Sequence, residues 1–172
     1  MEKIGRRSFM FLPLLALTAH SETLHDTQRL TFTGIGPIRV GMTEAQARGA
    51  LAQKLERTDF EEGCSYLTPR TKGIAFMLLD SRIARVDISE GAWLTAEGAG
   101  IGTSEAEVRR LYPQVRIEPH PYLDEGQGYY FRVTAADLKL KRYELLFETE
   151  RKAVTSFRAG LKSAVSLIEG CA

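Results

Sequence analysis

Gly41-Met42-Thr43-Glu44-Ala45-Gln46-Ala47-Arg48 is answered 61 residues later by Gly102-Thr103-Ser104-Glu105-Ala106-Glu107-Val108-Arg109. Each copy follows a short apolar lead-in, and each is followed by segments with strand character. Thr43 with Gln46, and Ser104 with Glu107, have the spacing of a capping box, in which a hydroxyl and a longer polar side chain satisfy exposed amides at a helix start. Ala47, Leu51 and Leu55 form one apolar stripe after the first start, with Ala50 beside them. Val108, Leu111 and Tyr112 form one after the second. Helices with a single apolar stripe need a surface to lie on. A repeat of this length is one supersecondary unit used twice.

After each helix the hydrophobic period falls from 3.6 to 2. Ser65-Tyr66-Leu67 leads through a turn near Pro69 to Gly73 into the continuous apolar run Ile74 to Leu79. Asp80-Ser81 then turns the chain into Arg82 to Ser89. The second unit has strand segments at Val115 to Ile117, Tyr129 to Val133, Tyr143 to Glu148 and Ala153 to Arg158, and its last hairpin aligns Val154 with Ile83 and Phe157 with Val86. The expected fold is α+β: two αβ repeats forming an antiparallel sheet of six to eight strands, with two helices packed on one face and the other face free. The repeats span 22–95 and 96–172. Residues 22–29 read as a loose polar lead, and Leu30-Thr31-Phe32 as a short lead-in strand.

Residues 1–21 read as a signal peptide. Lys3, Arg6 and Arg7 make a basic head, Ser8 to Ala19 are mostly apolar, and Ala19-His20-Ser21 places small residues where a signal peptidase cuts. About a dozen apolar residues cannot cross a hydrocarbon core that needs ~20, so no stable membrane span is expected. Arg6-Arg7-Ser8-Phe9-Met10 also fits a twin-arginine export signal, leaving Sec and twin-arginine routes both open. The implied location is periplasmic or secreted, in a bacterium. Of 23 basic and 22 acidic side chains, loss of Lys3, Arg6, Arg7 and Glu2 leaves 20 against 21. Near-neutral charge without a basic run argues against nucleic acid as a partner.

The two cysteines, Cys64 and Cys171, form an even pair in an exported chain, so a disulfide is expected between them. It would tie the C-terminal tail to the first unit, and closing so long a loop is worth at most ~4–5 kcal/mol in the chain-entropy model. The acidic approaches Glu61-Glu62-Gly63 and Glu169-Gly170 disfavour a reactive thiolate.

Val40-Gly41-Met42-Thr43 and Ile101-Gly102-Thr103-Ser104, each opening a helix before a β-meander, resemble the repeat unit of the outer-membrane assembly lipoprotein BamE (SmpA/OmlA) family. Two such units in one exported chain resemble the architecture of the β-lactamase inhibitor proteins (BLIP). The resemblance covers most of residues 35–160 and implies a scaffold that binds proteins through a sheet face. This chain departs from the lipoprotein pattern in having no cysteine after the apolar leader.

Chemistry of other kinds finds little support. His25 and His120 stand far apart, so no metal cluster is expected, and neither is a cofactor. Gly98-Ala99-Gly100-Ile101-Gly102 lacks the spacing of a dinucleotide or P-loop fingerprint. Asp124-Glu125 and Glu61-Glu62 read as solvated loop charges. His120, flanked by Pro119 and Pro121, is the only candidate base inside the folded region. The primary expectation is a non-catalytic binding protein of the envelope, an inhibitor or accessory factor, with a protein partner. A carbohydrate- or cell-wall-binding module is the alternative, and a hydrolase using His120 a further one. The candidate contact residues are His120, Tyr122, Tyr129, Tyr130 and Trp93, with Trp93 placed either in the junction core or on a recognition surface. Tyr129 and Tyr130 are adjacent on a strand and must point to opposite faces, so at least one is expected to reach outward.

Overall fold

Thr43 and Ser104 both sit in extended backbone and accept a hydrogen bond from the amide three residues on, starting helices α1 (Glu44–Ala50) and α2 (Glu105–Leu111). The capping box is complete only in α1, where the Gln46 side chain also bonds the Thr43 amide. In α2 the Glu107 carboxylate is drawn instead to Arg110. These features come from a computed structural model that describes residues 21–60 and 63–171. The expected signal peptide therefore lies, apart from Ser21, outside the described residues, as do Glu61 and Glu62.

In the first unit α1 is preceded by β1 (Arg29–Thr31), β2 (Gly34–Ile35) and β3 (Ile38–Arg39). It is followed by β4 (Leu55–Asp59), β5 (Cys64–Pro69), β6 (Ile74–Leu79) and β7 (Arg82–Ile88). The second unit runs β8 (Leu94–Thr95), α2, β9 (Arg116–Pro119), β10 (Gly128–Thr134), β11 (Tyr143–Glu150), β12 (Ala153–Leu161) and the short α3 (Lys162–Val165). Eight strands form one antiparallel sheet in the order β4-β5-β6-β7-β12-β11-β10-β9. Each unit supplies four consecutive strands, and the last strands of the two units meet at the centre. Phe157 there pairs with Ile88, and Arg158 with Asp87. A second, four-stranded sheet, β3-β2-β1-β8, gathers the lead-in segments of both units.

Helices α1 and α2 bury Ala47 and Val108, and just past their ends Leu51 and Tyr112, into one core with Phe76, Val86, Ile88, Phe131, Phe147 and Phe157. Each valine, leucine, isoleucine or phenylalanine among them is worth ~1.5–3 kcal/mol on burial. Because both units feed this core, they are fused through packing as well as through the sheet.

Four expectations need correction. The first helix stops at Ala50, and Leu51 is already extended, so Leu55 opens an edge strand and does not extend the helical stripe. Residues 22–29 are not loose. Glu22 bonds the backbone of Ala50 and Ala52, and Leu24 is buried in the core. A lone leucine in a polar stretch carries no periodicity to announce this. The lead-in strand is part of the four-stranded sheet, whose two-residue strands are too short to show alternation. Finally, the sheet face opposite the helices is not free: α3 and the chain to Cys171 lie across its centre. Ala164 and Cys171 pack there with Met77 and Ala84, and Val165 packs with Tyr130 and Leu146.

Candidate functional site

The face beneath the C-terminal tail carries charge where a sheet centre is usually apolar. A register shift on β7 opposite Met77 and Leu78 leaves both Ala84 and Arg85 on the tail side. Arg85 is 2% exposed, and a buried guanidinium is costly unless its donors are met. They are met on four sides. Nε donates to Asp87 at 3.0 Å, Nη2 to the Tyr66 hydroxyl at 2.7 Å, and Nη1 to the carbonyls of Ala164 at 2.6 Å and Leu167 at 2.8 Å. Across the seam, Arg158 is 6% exposed and donates from Nε to the Val165 carbonyl at 3.0 Å and from Nη1 to Glu148. Two cations thus bond the Ala164 and Val165 carbonyls in the last turn of α3 and the Leu167 carbonyl just beyond it, the end of a helix that favours positive charge. Burial pushes the Tyr66 hydroxyl up to about 12, with the Asp87 charge adding to it. Tyr130 is raised likewise by burial and by Glu148.

Toward β9 the charges continue into an open cleft of 480 Å³ lined by Arg116, Glu118, Arg132, Glu144, Lys162 and Ser166, among others. Arg132 lies between two carboxylates, donating to Glu118 and to Glu144 at 2.7 Å each, and Arg116 reaches Glu118 at 3.0 Å. Each carboxylate of this ladder is engaged by a guanidinium.

The structure brings together three of the five expected contact residues. The His120 ring lies 4.8 Å from Tyr130 and 6.1 Å from Tyr122, both edge-on. His120 Nδ1 accepts the Tyr122 amide at 3.2 Å, and Nε2 lies 3.9 Å from a Glu148 oxygen. No hydroxyl or thiol nucleophile bonds to this imidazole among the described residues, nor do three or more His, Cys, Asp or Glu cluster for a metal. Tyr122 is 62% exposed, and its hydroxyl donates to Glu169 at 2.7 Å, which raises its pKa.

The other residues part company. Tyr130 faces the tail side and is buried under Val165, and Tyr129 packs half-buried against the helix-side core, so neither tyrosine stands clear of the surface. Trp93 is 1% exposed and donates weakly to the Lys72 carbonyl at 3.4 Å, which places it in the junction core. Cys64 and Cys171 are joined in a disulfide with Cα atoms 5.5 Å apart. Sequence reasoning misses Arg85, Arg158 and Arg132, because alternation on their strands reads as a solvated face. Leu161, Ala164, Val165 and Ile168, spaced i, i+3, i+4, i+7, are the signal that something covers it.

No protein-family model matches the chain, and no curated protein or solved structure is significantly similar to it.

Proposed function

We infer that this chain is an exported, non-catalytic binding protein of the bacterial envelope that engages a protein partner through the surface around Tyr122. One observation carries the reading: an exposed aromatic held in a fixed position. Tyr122 is tied by its hydroxyl to Glu169, on the same tail segment as Leu167, which is 40% exposed, and that segment is pinned at Cys171. An amphipathic ring ordered before contact loses little entropy on binding, which is why tyrosine is favoured at interfaces. Tyr122 also sits in the eight-residue connection His120–Gln127, where the first unit has only Phe60–Gly63. The elongation belongs to a loop, where binding residues concentrate.

Export is supported by the basic head, apolar run and small residues of 1–21, and by a disulfide of the kind an oxidising compartment sustains. The resemblance of the two helix starts to BamE-like units, paired as in BLIP-type proteins, supports a protein partner. The engagement of Glu118, Glu144 and Glu148 by arginines supports a non-catalytic role.

The test is capture from periplasmic extract with the mature chain and with Tyr122→Ala. A partner held by the wild type and weakened by about 1–3 kcal/mol in the variant, at unchanged thermal stability, supports the reading. Equal capture by both overturns the surface. Selective binding of peptidoglycan fragments, or a hydrolytic activity lost in His120→Ala, overturns the function.

A further inference from the structure

We propose that residues 161–171 form a redox-latched cover over the charged face of the sheet. Reduction of Cys64–Cys171 releases the cover while the helix-side core stays folded. The proposal concerns the chain's own motion and does not depend on which partner it binds.

The packing divides cleanly. The helix-side core draws its buried residues from Leu24 to Ala159 and none from the tail. Among the described residues, tail residues enter two small clusters on the opposite face, Ala164 and Cys171 with Met77 and Ala84, and Val165 with Tyr130 and Leu146, and are bonded at their edges by Arg142 to Lys162 and by Tyr122 to Glu169. A segment whose contacts are confined in this way can open as a local unit below the global unfolding free energy. Its helix α3 has four residues, too few to persist undocked.

What lies beneath favours opening further. Arg85 and Arg158 hold the tail by hydrogen bonds to three of its carbonyls, those of Ala164, Val165 and Leu167. Water can replace every one of these bonds, and a buried guanidinium regains hydration when uncovered. The apolar contacts and these bonds therefore oppose a sizeable solvation gain. The disulfide tips the balance. With it, the tail is anchored at Leu161 in β12 and at Cys171 on the far side of the face, so an opened segment is returned by its own tether. Without it, the last residues are a free end.

The chemistry is a two-electron exchange with a dithiol reductant. A reductant thiolate attacks one sulfur of the pair, and the other leaves as a thiolate and takes up a proton. The second reductant thiol then resolves the mixed disulfide, leaving Cys64 and Cys171 as thiols and the reductant as a disulfide. Cys64 is half-buried and is the more open of the two sulfur-bearing residues. The uncovered face would present two ion pairs, Arg85 with Asp87 and Arg158 with Glu148, on a floor of Met77, Tyr130 and Leu146.

Amide hydrogen exchange on the full chain tests this, with the oxidised protein compared against the dithiothreitol-reduced protein and against Cys64→Ser/Cys171→Ser. The amides of Ser166, Leu167 and Gly170, bonded within the tail, are expected to exchange about tenfold or more faster in both forms that lack the disulfide. Those of Leu51 and Tyr112, at the ends of α1 and α2, should keep their protection. Tail exchange that is the same in all three forms overturns the proposal. So does an equal rise at Leu51 and Tyr112, which would make the disulfide a global staple and not a latch.

Discussion

Ile83 and Val154 occupy the same hydrogen-bonding position in the two halves of the molecule. The Ile83 carbonyl accepts the Gly41 amide at 2.7 Å, and its own amide donates to Met42 at 2.8 Å. The Val154 carbonyl accepts Gly102 at 2.8 Å, and its amide donates to Thr103 at 2.9 Å. The segment that starts each helix is thus stitched to the first residues of the last strand in its own unit. The two-residue turns before those strands match as well. Asp80 and Ser81, like Arg151 and Lys152, have positive φ at both positions, the condition of a type I′ hairpin. Register shifts opposite Met77/Leu78 and at Glu148/Thr149 complete the correspondence.

Gly41 and Gly102 have φ of 94° and 83°, and a Cβ at either position would meet nothing within 4 Å, so the demand at both is on backbone conformation alone. Gly41→Ala and Gly102→Ala should each cost about 1–2 kcal/mol in urea unfolding. The two losses should be similar and close to additive in the double variant.

Gly160 makes a different demand. A Cβ there would lie 2.2 Å from the Ala84 carbonyl oxygen, across the seam between β12 and β7. Neither backbone can yield without breaking the ladder that joins the two units. Gly160→Ala should therefore cost about 2–3 kcal/mol, more than either helix-start glycine, by the same measurement.

Arg85→Ala removes the partner of Asp87 and the donors for two tail carbonyls at once. Breaking one side of a buried pair typically costs ~3–5 kcal/mol, and because Asp87 keeps 22% of its side chain exposed the loss expected in denaturant melts lies at the low end of that range. Arg110, paired with Glu107 on the open surface of α2, is the control: Arg110→Ala should leave stability nearly unchanged.

Glu44 is held below its ordinary 4.5 by hydrogen bonds from Arg48 first and Arg57 next, which outweigh its partial burial. A carboxylate with a depressed folded pKa contributes stability that is complete above its unfolded value and is lost as pH falls through the folded value. Wild-type stability should therefore fall relative to Glu44→Gln as the pH is lowered below about 4.5, and the two curves should run parallel above it. Denaturation midpoints across that range are the measurement. A gap that stays constant to low pH would mean the pairing does not act through the charge.

The repeat, the two helix starts, seven of the eight main strands and the disulfide are legible in the amino-acid order, because each rests on local chemistry. Thr43 and Ser104 cap amides three residues away, Asp80-Ser81 turns the chain within two residues, and Cys64 and Cys171 have no competitor. Tertiary structure alone decided what faces what. Leu55 continues a helical stripe in one dimension, yet pairing with Pro69 draws it into a strand. Arg85 and Asp87 alternate with Val86 and Ile88 as residues of a solvated face do. Arg85 is enclosed because α3 and the residues after it, some 80 residues further along, bring the Ala164 and Leu167 carbonyls to it. Tyr122 and Glu169 meet across a gap of 47 residues, so the candidate surface comes from two segments that local spacing does not relate. Periodicity reports which way a side chain leaves its own strand, whereas burial depends on what a distant segment lays over it.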